Sequence, residues 1–270
     1  MKKPLHYIIQ FICIFLGIFI CNVSFAENLA FTVQLDTGKI TQIHKQKSNI
    51  VFGIDAEQGL ISSIYIFGNT HEANGFMDRG NHLLLPVTSL SLGKHSNVTV
   101  YTDNLSSLEY TKNYASYSRA GIVGAISKIN EDNFDYHLNI GNNRQMGIVG
   151  YLKQVVGQKV DYQKNYSSNT RSGVTGKLKS IGSTEFEYFT NTWTTKSDLF
   201  LGKMNKVDGI DIELYPPYSY KDYQTGKVSA IGEIKFEYYN NTSSNTSAGI
   251  AGRFKKLSGR DSRFKLWLKQ

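Results

Sequence analysis

The sequence has 270 residues, with 30 Lys+Arg against 22 Asp+Glu, 40% hydrophobic residues, 17 Tyr, 15 Phe, 24 Gly and 4 Pro. That length supports one large domain or two small ones, with enough chain to bury a proper core. A mix rich in Tyr, Phe, Gly, Asn, Thr and Ser favours strands and turns, and excludes a coiled coil, a collagen and a multi-span helical membrane protein.

Residues 1–26 read as a secretory signal peptide. Met1-Lys2-Lys3 is a basic start, Tyr7 to Phe19 is almost wholly apolar, and Ser24-Phe25-Ala26 ends in a small residue before Glu27. Export through the periplasm, to the medium or the outer cell surface, is the expectation; a retained anchor is the alternative. A lipoprotein reading would modify Cys21, but Gly17-Ile18-Phe19-Ile20 before it lacks the small residues of such a site. Both cysteines, Cys13 and Cys21, fall inside this segment, so the mature chain has neither disulfides nor thiolate metal sites. The positive excess is mild and falls mostly at every other position. That suits a solvated sheet face and argues against a nucleic-acid partner.

Residues 27–115 read as a small, loop-rich β domain. Phe31-Thr32-Val33-Gln34-Leu35 and Ile61-Ser62-Ser63-Ile64-Tyr65-Ile66-Phe67 are strand-like, while Gly68 to Gly75 and Asp78 to His82 are loop-like. Four of the five histidines beyond the signal segment (His44, His71, His82 and His95) lie here; only His137 falls later.

From about residue 116 a repeat organises the chain. Gly124, Gly150, Gly176, Gly202, Gly226 and Gly252 are spaced by 26, 26, 26, 24 and 26 residues. Two residues after each glycine stands an apolar residue: Ile126, Leu152, Leu178, Met204, Val228, Phe254. Ten and twelve after it come Phe134/Tyr136, Val160/Tyr162, Phe186/Tyr188, Ile212/Leu214 and Phe236/Tyr238. Each unit therefore reads as two strands joined by a short turn, apolar on one face and rich in Glu and Lys on the other. A glycine in the apolar row would mark a bend or a tight approach of another backbone.

An up-and-down antiparallel meander follows, and one oily face must close on itself or on another layer. The expected fold is all-β, with the hairpins of 116–270 closing into a soluble β-barrel behind the smaller N-terminal domain. A membrane barrel is the rival. Its strands need about 9–11 residues, more than these apolar stretches supply. An open hairpin solenoid also fits the repeat but leaves one face wet.

The chemistry is sparse. There is no G-x-S-x-G elbow, P-loop, dinucleotide fingerprint or H-E-x-x-H helix. Pairs such as Glu185/Glu187 point to one polar strand face and read as solvated charge, so a non-enzymatic role is expected. The histidine-bearing loops are the sharper feature: an imidazole over an apolar sheet is a haem ligand in waiting. His82 precedes Leu83-Leu84-Leu85-Pro86, and His71 precedes Phe76 and Met77, which makes these two the haem candidates.

The strand openings Gly121-Ile122-Val123-Gly124 and Gly249-Ile250-Ala251-Gly252-Arg253-Phe254, with the basic ending Lys269-Gln270, resemble those of proteins exported by Slam-type outer-membrane translocons. These include the haemophilin-type haemophores and, more remotely, the transferrin-binding lipoprotein lobes. The resemblance implies an N-terminal handle that binds the ligand, a C-terminal barrel of about eight strands, haem or host haemoglobin as partner, and a Slam-type translocon for export. Six units give more strands than such a barrel needs, and the family's haem-ligating histidine has no motif match here. A surface protein binding a protein partner without cofactor is the alternative function; Tyr215-Pro216-Pro217-Tyr218-Ser219-Tyr220 suits such recognition.

Overall fold

The computed structural model describes residues 29–79, 88–92, 98–190, 198–217 and 223–270. The expected signal segment, His82, His95 and residues 218–222 lie outside the described residues.

The fold is all-β, in two large sheets. The first begins with β1 (Leu29–Gln34), β2 (Lys39–Lys47), β3 (Ile50–Asp55) and β4 (Leu60–Ile66), each antiparallel to the next. The chain then forms α1 (Thr70–Arg79) and returns through β5 (Thr88–Ser91) and β6 (Thr99–Thr102), with β6 parallel to β4. At the other edge β19 (Lys265–Lys269) lies parallel to β1. The seven-strand order is β19-β1-β2-β3-β4-β6-β5.

Both faces of this sheet are covered, which is why β1 and β3 are buried along almost their whole length. On the outer face Ala30, Val51, Tyr65 and Phe67 pack against Ala73, Phe76 and Met77 of α1. On the inner face Phe31, Ile43, Phe52, Ile54 and Ile64 belong to the main core, together with the apolar rows of the hairpin repeats.

Those repeats form the second sheet, twelve strands in strict sequence order from β7 (Leu108–Tyr110) to β18 (Phe254–Ser258). Its hairpins are β8 (Ile126–Ile129) with β9 (Asp132–Tyr136), β10 (Leu152–Val155) with β11 (Gln158–Tyr162), β12 (Leu178–Ile181) with β13 (Thr184–Tyr188), β14 (Met204–Val207) with β15 (Ile210–Leu214), and β16 (Val228–Ile231) with β17 (Ile234–Tyr238). We call these units one to five, and the stretch from Gly252 unit six.

The meander does not close into a barrel. β7 and β18 stand at opposite ends of the twelve strands. The expected closure is replaced by a second layer: the first sheet covers the oily face, so the hairpins have no apolar row left to seal against one another. The last strand leaves the hairpins altogether and joins β1.

The repeat glycines also act differently from the expectation. They do not sit within a strand's apolar row; each strand starts two residues later, and all six glycines have φ between 76° and 83°. Four units place a five-residue helix before this turn: α2 (Ala115–Arg119), α3 (Gly141–Gln145), α4 (Ser167–Arg171) and α5 (Ser243–Ser247). Each ends in the same cap. After α2, Gly121 N–H donates to Ser118 O and Ile122 N–H to Tyr117 O; Gly147, Gly173 and Gly249 repeat the pattern. The expected tight approach is present as well. A β-carbon on Gly176 would stand 2.6 Å from Met146 O, and one on Gly202 2.7 Å from Ser172 O, each in the preceding unit.

Candidate functional site

The site is built by the way the first sheet sits on the repeats. Three of its loops reach the meander, and each hands a backbone carbonyl to the residue two after a repeat glycine. Ile126 N–H donates to Leu92 O at 3.1 Å in unit one, Leu178 N–H to Gly59 O at 2.7 Å in unit three, and Val228 N–H to Gly38 O at 2.8 Å in unit five. Gly59 and Gly38 end the β3–β4 and β1–β2 turns with φ of 65° each, and a side chain there would strike Tyr188 or Lys227.

At units three and five a lysine completes the seat. Lys177 Nζ donates to Glu57 O at 3.0 Å and to Gly202 O at 2.7 Å. Lys227 Nζ reaches Asp36 O at 3.5 Å and also donates to Gly252 O. The same pair of donors, one amide and one ammonium, thus grips a turn through carbonyls two residues apart: Glu57 with Gly59, and Asp36 with Gly38.

Units two and four fall between the docked loops, and each leaves a groove. The groove at unit two is about 100 Å³, bounded by Leu60, Ile61, Val98, Tyr151, Leu152 and Tyr162. Tyr162 donates its hydroxyl to Leu152 O at 2.9 Å, and Tyr151 lies edge-on to its ring at 5.5 Å. Tyr136 and Tyr188 make the same bond in units one and three, to Ile126 O at 2.6 Å and Leu178 O at 2.8 Å. Burial pushes all three phenols above the ordinary tyrosine range.

Unit four departs from its neighbours at two positions. Leu214 stands where units one, two, three and five have tyrosine, and Lys203 is offered no turn by the first sheet among the described residues. The groove there is the larger, about 230 Å³. Ile40, Ile43, Ala56, Met204, Ile212 and Leu214 give it an apolar body; Lys39, Lys203 and Glu57 stand among its polar residues. Lys203 Nζ lies 5.8 Å from the centre of the Phe200 ring and has no hydrogen-bond partner among the described residues. Burial holds its ammonium below the ordinary lysine range, the charge of Lys39 adds to this, and Glu57 opposes it. Asp55 is committed elsewhere, its Oδ1 accepting from the Glu57 and Gln58 amides. This is an amphipathic cleft with a cation and, among the described residues, no assembled acid–base pair.

The two histidines singled out in the sequence are not brought to this cleft. His71 is exposed in the first turn of α1, a helix packed on the outer face of the first sheet, away from the repeats. His82 lies outside the described residues. Among the described residues no three His, Asp or Glu side chains gather into a metal-binding group.

The histidine that does stand out chemically is His44 on β2, fully buried among Trp267 (4.7 Å between ring centres), Phe76 (5.9 Å) and Tyr65 (6.4 Å). Neither of its ring nitrogens has a hydrogen-bond partner among the described residues. Burial lowers its pKa to about 4, and the charge of Lys269 adds to that. Its surroundings are closed aromatic packing, so it serves the sheet rather than a cleft. Next to it on the chain, Lys45 is only 2% exposed and bonds Asp208 Oδ2 at 3.2 Å, tying β2 to the hairpin turn of unit four.

The sequence held a signal for the cleft: the aromatic column breaks at Leu214, and the glycine interval that contains it, Gly202 to Gly226, shortens to 24 residues. It held none for the docking of alternate units, which depends on the second layer. No family model matches the chain, and neither the curated proteins nor the solved structures include a significant match.

Proposed function

We propose that this is an exported, non-enzymatic binding protein that holds a small ligand in the cleft at unit four. The observation that carries the reading is the unused seat there, where an apolar cavity of about 230 Å³ opens beside Lys203. Sites for small molecules are concave, mostly apolar, and supplied with a few orienting polar groups. The cleft matches that description and falls a little below their usual ~300–1,000 Å³. Its size suits a compact ligand better than a porphyrin.

The test is ligand-induced stabilisation of the chain from Glu27 onward, screened with small apolar molecules and followed by thermal unfolding. A saturable rise that Leu214→Tyr removes supports the reading. A folded protein stabilised by none of them opposes it. The narrower haemophore reading, with haem or host haemoglobin as partner, rests on the resemblance and on His71 and His82. Haemin titration followed at the Soret band tests it separately: a band lost in His71→Ala or His82→Ala supports haem ligation, and absence of a saturable band in folded protein ends it.

A further inference from the structure

Resting on that reading of the cleft, the geometry points to a ligand with one carboxylate on an apolar body, its carboxylate taken by Lys203 Nζ and the Met204 amide. The argument comes from the repeat itself. In units three and five the residue after the glycine is a lysine, and the residue after that offers its amide. Both donors are occupied there by turn oxygens: Glu57 O and Gly59 O in one case, Asp36 O and Gly38 O in the other. Unit four carries the same donor pair, Lys203 and Met204, one step along the chain after Gly202.

No loop of the first sheet reaches that pair among the described residues, because the β1–β2 and β3–β4 turns have settled on the units to either side. The seat is therefore built for two acceptor oxygens and receives none from the first-sheet turns among the described residues. A carboxylate offers two oxygens on one carbon and meets an ammonium by a charge-assisted bond. Glu57 is exposed and makes no ion pair with Lys203, so it does not fill the place.

What lies beyond the seat decides the rest of the ligand. Had Leu214 been tyrosine, its ring would occupy the cavity as Tyr162 does in unit two, with the hydroxyl on the carbonyl ten residues earlier. With leucine, the space is bounded by Ile212, Leu214, Ile40 and Ile43, which favours an aliphatic tail. Gly226 keeps the rim open: a β-carbon there would lie 3.4 Å from Lys203 Nζ.

Decanoate and decanol, identical in tail and different in head group, separate the two claims. Binding is read by calorimetry on the chain from Glu27 onward. The expected result is saturable binding of decanoate, with decanol weaker by about ten- to a hundredfold. Lys203→Met should abolish that preference while decanol binding persists, Lys203→Gln serving if the methionine variant misfolds; Leu214→Tyr should remove both. Equal binding of acid and alcohol by the unaltered protein would overturn the carboxylate and leave the cleft standing. Failure of both to bind a folded protein, or binding indifferent to Leu214→Tyr, would overturn the cleft and the carboxylate together. Binding of a peptide spanning residues 35–40, without binding of decanoate, would make the seat one for a protein turn and overturn the small-molecule form.

Discussion

Units two and four occupy equivalent places under the first sheet, each flanked by docked neighbours, yet one leaves a groove of about 100 Å³ and the other one of about 230 Å³. In unit two, Tyr151 and Tyr162 stand at the positions that Lys203 and Leu214 hold in unit four. Two side chains thus convert a stack of tyrosines into an apolar cleft with a cation on it. A repeat fold makes such a change inexpensive, since the two-strand hairpin and its docked neighbours remain as they were. The two hairpin turns differ too. Unit four turns on Asp208-Gly209, with Asp208 bonded to the buried Lys45, whereas unit two turns on Val156-Gly157, with the β-branched Val156 at φ 47°.

The wall between the two grooves is the β3–β4 turn, so breaking it should produce the largest effect. Gly59→Ala places a β-carbon 2.7 Å from the Tyr188 hydroxyl at a positive φ. We expect a loss of roughly 3–4 kcal/mol from left-handed strain and overpacking, measured by denaturant unfolding, with Gly75→Ala, where nothing lies within 4 Å, as control.

Next comes acid. His44 has a folded pKa of about 4 against an ordinary 6.5. The unfolded chain therefore binds a proton in that interval that the folded one does not. Stability should fall as pH drops from 6.5 to about 4, by about 3 kcal/mol in all. Because both grooves rest on this sheet, they should open together. His44→Phe should flatten this part of the profile; an unchanged slope would remove His44 as its source.

The tie specific to unit four is smaller. Asp208→Asn keeps a residue suited to the turn but removes the charge facing Lys45, for an expected loss of about 2 kcal/mol. The corresponding tie of unit two is the Tyr162 hydroxyl. Tyr162→Phe should cost about 1 kcal/mol and leave the unit-four cleft untouched. Val156→Asn should be slightly stabilising, by under about 1 kcal/mol, since asparagine tolerates the left-handed region but gives up some apolar packing. Thermal unfolding of these variants side by side would show whether the two units are energetically as separable as their contacts suggest.

Much of this was legible in the residues, and the reason is periodicity. The glycine spacing and the alternation in Thr184 to Tyr188 and Ile234 to Tyr238 fix hairpins and faces, because both obey local sterics. Even the break at Leu214 was visible in the aligned columns. What sequence could not supply was the partner of the oily face. Closing the hairpins on themselves and covering them with a second sheet satisfy the same alternation, and only the seating of Gly38, Gly59 and Leu92 on alternate units distinguishes the two. The importance of Lys203 was hidden for the same reason. A lysine on a polar strand face reads as solvated until its counterparts, Lys177 and Lys227, are found bonded to turns. His44 sits at a polar-looking place in Ile43-His44-Lys45-Gln46, and nothing local announces that Trp267 lies over it.

The parallel pairing of β19 with β1 sets an order of assembly. Hairpin units are local in sequence and form quickly, but Ala30 meets Lys265 only across almost the whole described chain. Until residues 265–269 have been made and released, the edge of β1 is bare and His44 lacks its Trp267 cover. A growing chain can thus hold a set of hairpins while its first sheet stays incomplete, a state with an exposed strand edge that lasts until β19 pairs with β1.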